Sequence, residues 1–184
     1  MGKIILVDLF DRQTGTAEKI EAHHSPLLHR AFSVFVHHEG KMLIQQRAAH
    51  KYHSGGLWAN ACCSHPHDGE QTGDAVLRRM EEELGLRDAG AEELFSFVYL
   101  TKFRDDMYEY EYDHVFASDC GGTIAVNGEE IQDVEWVDFG ELAHRLCSAP
   151  EKFASWFLTA APRVLETLCP GLRGERGRTG ERNA

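Results

Sequence analysis

Two spacings of apolar residues run through this chain. The first is short and extended. Phe32-Ser33-Val34-Phe35-Val36 and Met42–Gln46 are rich in β-formers and are separated by Glu39-Gly40, a pattern that predicts a hairpin. Lys3–Leu9, Glu93–Thr101, Tyr108–Ala117 and Val134–Val137 read as further strands, with turns over residues 11–16 (Asp-Arg-Gln-Thr-Gly-Thr) and at Gly121-Gly122. Residues 19–29 are polar around Pro26 and carry no strand pattern. The second spacing is helical. Val76, Leu77, Met80 and Leu84 form a stripe in a segment from about Gly73 to Leu84, which Gly85 ends. Asp138 can cap a short helix to about Leu146. Ser148-x-x-Glu151 reads as a capping box opening a last helix, with Phe153, Trp156, Phe157, Ala160, Val164 and Leu168 inward and a kink at Pro162.

The patterning places two groups of carboxylates. Side chains alternate along a strand, so Glu109, Glu111 and Asp113 share one face. Three like charges stacked there repel unless a cation or a proton lies among them. Glu81, Glu82 and Glu83 cover most of one helical turn, so they cannot all face water. Glu83 borders the apolar stripe and is expected to turn partly inward, where a buried carboxylate needs a partner such as Mg²⁺.

Composition narrows the possibilities. The chain has 184 residues, 42% of them apolar, which suits one domain over residues 1–170 with its own core. A net charge of −11 argues against a nucleic-acid or anionic-membrane surface. No apolar run is long enough for a membrane span or a signal peptide. The five cysteines form no framework, which points to a reducing, cytoplasmic setting. From Gly171 the chain turns to glycine, arginine and charge, so residues 171–184 are expected to be a disordered tail.

The chemistry-bearing residues gather around Gly55–Leu86. Cys63 has Asn60, Ser64 and His65 as polar neighbours, and an adjacent imidazole or basic group can lower a thiol's pKa. Cys62 points the other way if this piece is extended. Arg47, Lys51 and His53 form a small basic island in an acidic protein, suited to a small anion. His23, His29 and His65 show no short ligand motif; beside Glu109 and Glu111 they can complete a nitrogen–oxygen metal site. Trp58, Trp156 and Tyr99 read as core aromatics or as faces for a cation in a dry pocket.

Together these residues resemble one family. Glu70, Arg78 and the run from Met80 to Leu86 are similar to the Nudix signature. Ser64 stands where that signature begins with glycine, and Arg79 stands where the hydrolases carry a metal-binding glutamate. Trp58, Asn60, Cys63, His65 and Pro66 match the W-x-N-x-x-C-x-H-P of the type I isopentenyl-diphosphate isomerases, which are Nudix relatives. Glu18 to His23, His29, Arg47, Lys51, Glu109, Glu111 and Trp156 extend the match over about Ile5 to Leu168.

The resemblance implies an α+β fold, a Nudix-type α/β/α sandwich with a mixed central sheet. It implies isomerisation of isopentenyl to dimethylallyl diphosphate through a tertiary carbocation. Cys63, acting as a thiolate, and Glu111 would be the proton-transfer residues, with Tyr99 assisting and Trp156 steadying the cation. Lys19, Arg47, Lys51 and Arg79 would hold the diphosphate, with Mg²⁺ at Glu83. A second divalent metal (Mn²⁺, Zn²⁺ or Mg²⁺) would sit among His23, His29, His65, Glu109 and Glu111. The partner would be a small allylic or homoallylic diphosphate, and the protein a monomer or weak dimer. The competing reading is a Nudix hydrolase of a small-molecule diphosphate, which Arg79 disfavours. A third reading, a silent metal-binding or regulatory protein, is disfavoured by the complete polar set.

Overall fold

The computed structural model describes residues 3–173 apart from 52, 88, 104 and 105. Its frame is a mixed nine-stranded sheet. Strands β1 (Ile4–Val7) and β2 (Gln13–Ala17) form an antiparallel hairpin. Helix α1 (Lys19–His24) leads into β3 (His29–His38) and β4 (Lys41–Arg47). These last two meet at their turn, where Glu39 and Gly40 both adopt positive φ (47° and 77°), the geometry a two-residue hairpin demands.

Away from that turn the chain fills the space between them. β5 (Trp58–Asn60) pairs with β4, and β6 (Cys62–Ser64) pairs with β3. Helix α2 (Thr72–Leu84) follows and ends at Gly85, whose φ of 71° is the left-handed C-cap conformation. β7 (Glu92–Lys102) and β8 (Tyr108–Asp119) are antiparallel, and β8 runs parallel to β3 along His29–His37. β9 (Ile131–Asp138) joins β4, and α3 (Phe139–Ser148) and α4 (Ser155–Leu168) close the chain.

The sheet separates two cores. On one face Phe32, Val34, Val36, Cys62 and Phe116 pack against Val76, Met80 and Leu84 of α2. On the other, Phe35, Val115, Met42 and Ile44 pack against Leu142 of α3 and Trp156, Phe157 and Val164 of α4. The α+β, α/β/α architecture therefore holds. Each fully buried Leu, Val or Phe contributes roughly 1.5–3 kcal/mol, so both helical layers are held by burial.

Several expectations are corrected. Residues 13–17 are a strand, because the turn closes earlier: the Asp8 carboxylate accepts the Phe10 and Arg12 N–H groups, and Asp11 takes φ 61°. The polar stretch after it contains α1, whose Ala22 and His23 are buried. Leu77 is 45% exposed; Ala75 replaces it in the stripe. Asp138 sits at the N-cap of α3 without a side-chain cap bond. Ser148 ends α3 and caps nothing; a 3-10 turn at Pro150–Lys152 intervenes, and α4 starts at Ser155 and continues through Pro162. Before β9 the chain turns at Asn127–Glu130, not at Gly121-Gly122. Pro170–Arg173 form another 3-10 turn, and residues 174–184 of the expected tail lie outside the described residues. Among the described residues no helix is long and apolar enough to cross a membrane.

Candidate active site

Three histidines from separate elements converge on one carboxylate. His23 lies in the last turn of α1, His29 opens β3, and His65 follows β6. Glu111 meets them from β8, opposite His29 in the parallel register. One ligand atom from each of the four lies within 4.8 Å of the others, and all four residues are buried. The Nδ1–H groups of His23 and His29 donate to the carbonyls of Lys19 (2.7 Å) and Leu27 (2.8 Å). That fixes the ring orientations and, in the neutral form, leaves the lone pair on Nε2. Burial pulls His23 down to about 4 and His65 to about 3, so both are neutral at pH 7, the form that ligates metal. His65 Nε2 is 3.0 Å and His29 Nε2 3.5 Å from Glu111 Oε1. Burial alone would raise Glu111, but these imidazoles outweigh it and hold the carboxyl well below its usual range. Nitrogen donors with one ionised carboxylate are a chemistry that suits a divalent cation.

A second layer surrounds Glu111. The Tyr99 hydroxyl donates to Glu111 Oε2 at 2.6 Å and stands 3.2 Å from Glu109 Oε2. Burial, with Glu111 and Glu109 adding to it, holds the phenol well above its usual range, so it stays protonated. Glu109 is itself raised by burial and by the charge of Glu111. Its Oε1 lies 3.1 Å from His53 Nε2. Burial pulls His53 down to about 3, so a neutral ring faces that carboxyl. Ser33 donates to Asp113 at 2.8 Å, two residues beyond Glu111 on the same face.

The sulfur stands on this face as well. Cys63 pairs with Ser33 across β3 and β6 and packs with the α4 core, whereas Cys62 packs on the α2 side. Burial pushes the Cys63 thiol up to about 12; Arg47, 4.0 Å away, opposes this, and Glu83, Glu109 and Glu111 add to it. Burial thus outweighs the one guanidinium and favours the thiol over the expected thiolate. Trp156 donates its indole N–H to Asn60 Oδ1 at 3.0 Å, and the Arg47 guanidinium lies 5.1 Å from its ring centroid.

Cations and carboxylates interleave on the α2 side. Glu83 is 3% exposed and accepts from Arg79 at 3.0 and 2.5 Å. Burial raises Glu83 to about 7, with Arg79 moderating the rise. Arg79 also reaches Glu82 at 3.0 Å and Glu130 at 3.5 Å, and Lys51 pairs with Glu130. Burial draws the Lys19 ammonium down, and it senses Glu111, Cys63, Arg47 and Arg79. Lys19, Arg47 and Arg79 therefore share one electrostatic neighbourhood with the sulfur and Glu111.

The NUDIX domain model matches residues 27–157. The chain is 43% identical over 173 residues to isopentenyl-diphosphate Delta-isomerase 2 of Aromatoleum aromaticum, covering 94% of this chain and 90% of that one. It is 44% identical over 160 residues to the isopentenyl-diphosphate Delta-isomerase of Burkholderia multivorans, covering 84% and 88%. The chain belongs to the isopentenyl-diphosphate isomerase family of Nudix proteins. A crystal structure of a Deinococcus radiodurans protein shares the fold alone, with a TM-score of 0.71 and 19% identity over 88% of this chain and 98% of that one.

In this isomerase family member, α2 is the Nudix helix, and the Glu70–Arg78 pair (2.7 Å) ties the loop before it to its second turn. Of the five residues expected to share one metal, four cluster; Glu109 lies outside that group, held between Tyr99 and His53. Lys51 and Arg79 both engage Glu130. Two residues of the site escape sequence reasoning: His53, read only as part of the basic island, and Glu130, in an Asn-Gly-Glu-Glu turn that matches no motif.

Proposed function

We propose that the chain interconverts isopentenyl and dimethylallyl diphosphate, with Cys63 and Glu111 as the proton-transfer pair. One observation carries this reading. Cys63 and Glu111 stand on the same face of the sheet, placed by Ser33 and His29 of one strand, and the sulfur senses the Glu111 carboxyl. The reaction moves a double bond by one carbon. An acid must protonate the alkene carbon at one end, and a base must remove a proton from the carbon on the other side of the cation.

The Glu111 side supplies the proton and Cys63 takes the other, or the roles alternate with direction. One turnover leaves the acid without a proton and the base with one more; proton exchange with solvent resets them, or the reverse reaction does. Tyr99, hydrogen-bonded to Glu111, orients that carboxyl. The Trp156 face can steady the tertiary cation once substrate displaces Arg47 from it; such contacts are worth about 2 kcal/mol or more when desolvated.

Lys19, Arg47, Lys51 and Arg79 hold the diphosphate, and Glu83 takes Mg²⁺ with it. His23, His29, His65 and Glu111, with Glu109 beside them, hold a second divalent ion, of Mn²⁺, Zn²⁺ or Mg²⁺ type. A cation there supplies positive charge that fixes Glu111 and lowers its proton affinity. The same reading takes the protein to be cytoplasmic, a single-domain monomer or weak dimer, with no nucleic-acid or membrane partner.

The test is a coupled assay for dimethylallyl diphosphate with metal analysis of the same sample, alongside solvent-deuterium exchange into isopentenyl diphosphate. Cys63→Ala and Glu111→Gln are expected to abolish turnover with the fold intact. Near-normal turnover by either variant would sink the proposed pair. Rapid phosphate release from nucleoside diphosphates would instead favour a hydrolase.

A further inference from the structure

The loop between β7 and β8 contributes one ring to the site. Phe103, fixed by its N–H to the Met107 carbonyl at 2.8 Å, stacks on His53 with centroids 4.9 Å apart and planes inclined by 20°. His53 in turn meets the Trp156 ring edge-on at 5.9 Å and contacts Glu109 at 3.1 Å. Phe103 also lines a cavity of about 600 Å³ that opens to solvent, with Leu57, Phe153 and Leu158 and with polar Ser54, Glu151 and Ser155. The contacts thus run from Glu109 and Trp156 to His53 and on to Phe103, which borders the open cavity.

The remaining groups around the centre are charged or metal-ligating: Arg47, Glu83, Glu111 and the three histidines. Among the described residues, a hydrocarbon skeleton held there meets aromatic rings at Trp156 and at the His53–Phe103 stack, and Tyr99 beyond Glu111. We infer that the stacked His53–Phe103 pair is the wall that seals the hydrocarbon end of the site, excluding water and fixing the chain length accepted. This rests on the isomerase reading given above. Its chemical content is definite. A tertiary cation that meets water forms a carbon–oxygen bond and releases a proton, giving a tertiary alcohol in place of the alkene. A sealed wall suppresses that product.

Phe103 touches no reacting group, so its substitution leaves the proton-transfer pair in place. Phe103→Ala, Phe103→Trp and the wild type are each given isopentenyl diphosphate and its homologue with an n-propyl group in place of the branching methyl. Products are followed by mass spectrometry in ¹⁸O-labelled water. Phe103→Ala is expected to raise kcat/KM for the homologue relative to isopentenyl diphosphate by about tenfold or more, the scale of discrimination per methylene in an apolar pocket. It should also yield labelled 3-hydroxy-3-methylbutyl diphosphate, and Phe103→Trp should shift the ratio the other way. Thermal melts of the three proteins establish that each is folded. An unchanged ratio with no labelled alcohol, while five-carbon turnover continues, overturns the wall. So does loss of five-carbon turnover in folded Phe103 variants, which would make the residue part of the chemistry. Failure of the wild type to isomerise isopentenyl diphosphate is a different result, and it overturns the activity itself.

Discussion

Replacing Asn60 by alanine should be among the costliest single changes in this protein. Asn60 is fully buried, and its amide makes three bonds: Nδ2 donates to the carbonyls of Cys62 (2.7 Å) and Val34 (3.2 Å), and Oδ1 accepts from Trp156 Nε1 (3.0 Å). It thus fastens the junction between β5 and β6, where the chain switches from pairing with β4 to pairing with β3, and it fixes the indole. Asn60→Ala leaves the Trp156 N–H without an acceptor in a site 2% exposed, a penalty of about 1–3 kcal/mol. Each lost bond to a carbonyl adds roughly 1 kcal/mol. The sum, about 3–5 kcal/mol, is a large share of a typical domain's 5–15 kcal/mol. It corresponds to a fall of about 6–20 °C in Tm at this size. Urea unfolding, with the m-value checked for constancy, measures it. In a Trp156→Phe background the indole donor is absent, so the same substitution should cost about 1–3 kcal/mol less. Strict additivity of the two changes would refute the claim that Asn60 acts through Trp156.

Three more outcomes are expected. With its thiol at about 12 against an ordinary 9.0, Cys63 should alkylate with iodoacetamide about a thousandfold more slowly than an ordinary thiol at pH 7, whereas exposed Cys147 reacts normally; rapid labelling of Cys63 in peptide mapping contradicts the resting thiol. Glu83 stands at about 7, and only its ionised form ligates, so Mg²⁺ affinity should weaken about tenfold per pH unit below that value and level off above it; calorimetry on wild type showing a flat profile from pH 6 to 8 removes Glu83 from the site. Adding Zn²⁺ or Mn²⁺ to chelator-stripped protein at pH 7 should raise Tm, by about 2.7 kcal/mol of stability at a hundredfold excess over Kd, and His29→Ala should abolish most of that rise.

What was legible in the sequence followed from strong periodicity or from special backbone positions. The α2 stripe and its terminal glycine gave that helix its span. Alternation along β8 gave a shared face to Glu109, Glu111 and Asp113, all three of which are buried. The inward turn of Glu83 followed from helix geometry alone. The misses have equally physical causes. β2 carries Gln-Thr-Gly-Thr, without large apolar residues, because it pairs with β1 alone. Helix α1 has six residues and no side-chain cap bond, so tertiary packing holds it and propensity is uninformative. The start of α4 is set by tertiary contact: the Ala154 N–H bonds the Trp58 carbonyl at 2.9 Å, and Phe153 is bridged to Trp58. The local Ser-x-x-Glu pattern upstream therefore misled. His53, beside Glu109, and Phe103, stacked on His53, lie in loops, and no period marks them.

The charge of residue 79 makes sense of the site as a whole. A second carboxylate there, one turn before Glu83, would gather metal ions against the diphosphate and favour attack on phosphorus. Arg79 puts a guanidinium 2.5 Å from Glu83 and within reach of Glu82 and Glu130. Those acids are then partly neutralised by the protein itself, and in the proposed function the same cation grips the diphosphate as a handle. In the proposed function the remote group is bound rather than cleaved, and its binding energy can be applied to holding the hydrocarbon between Cys63 and Glu111. The proposed function would thus put the chemistry away from the Nudix helix, on the sheet face that carries Cys63, where the histidines and Tyr99 meet Glu111.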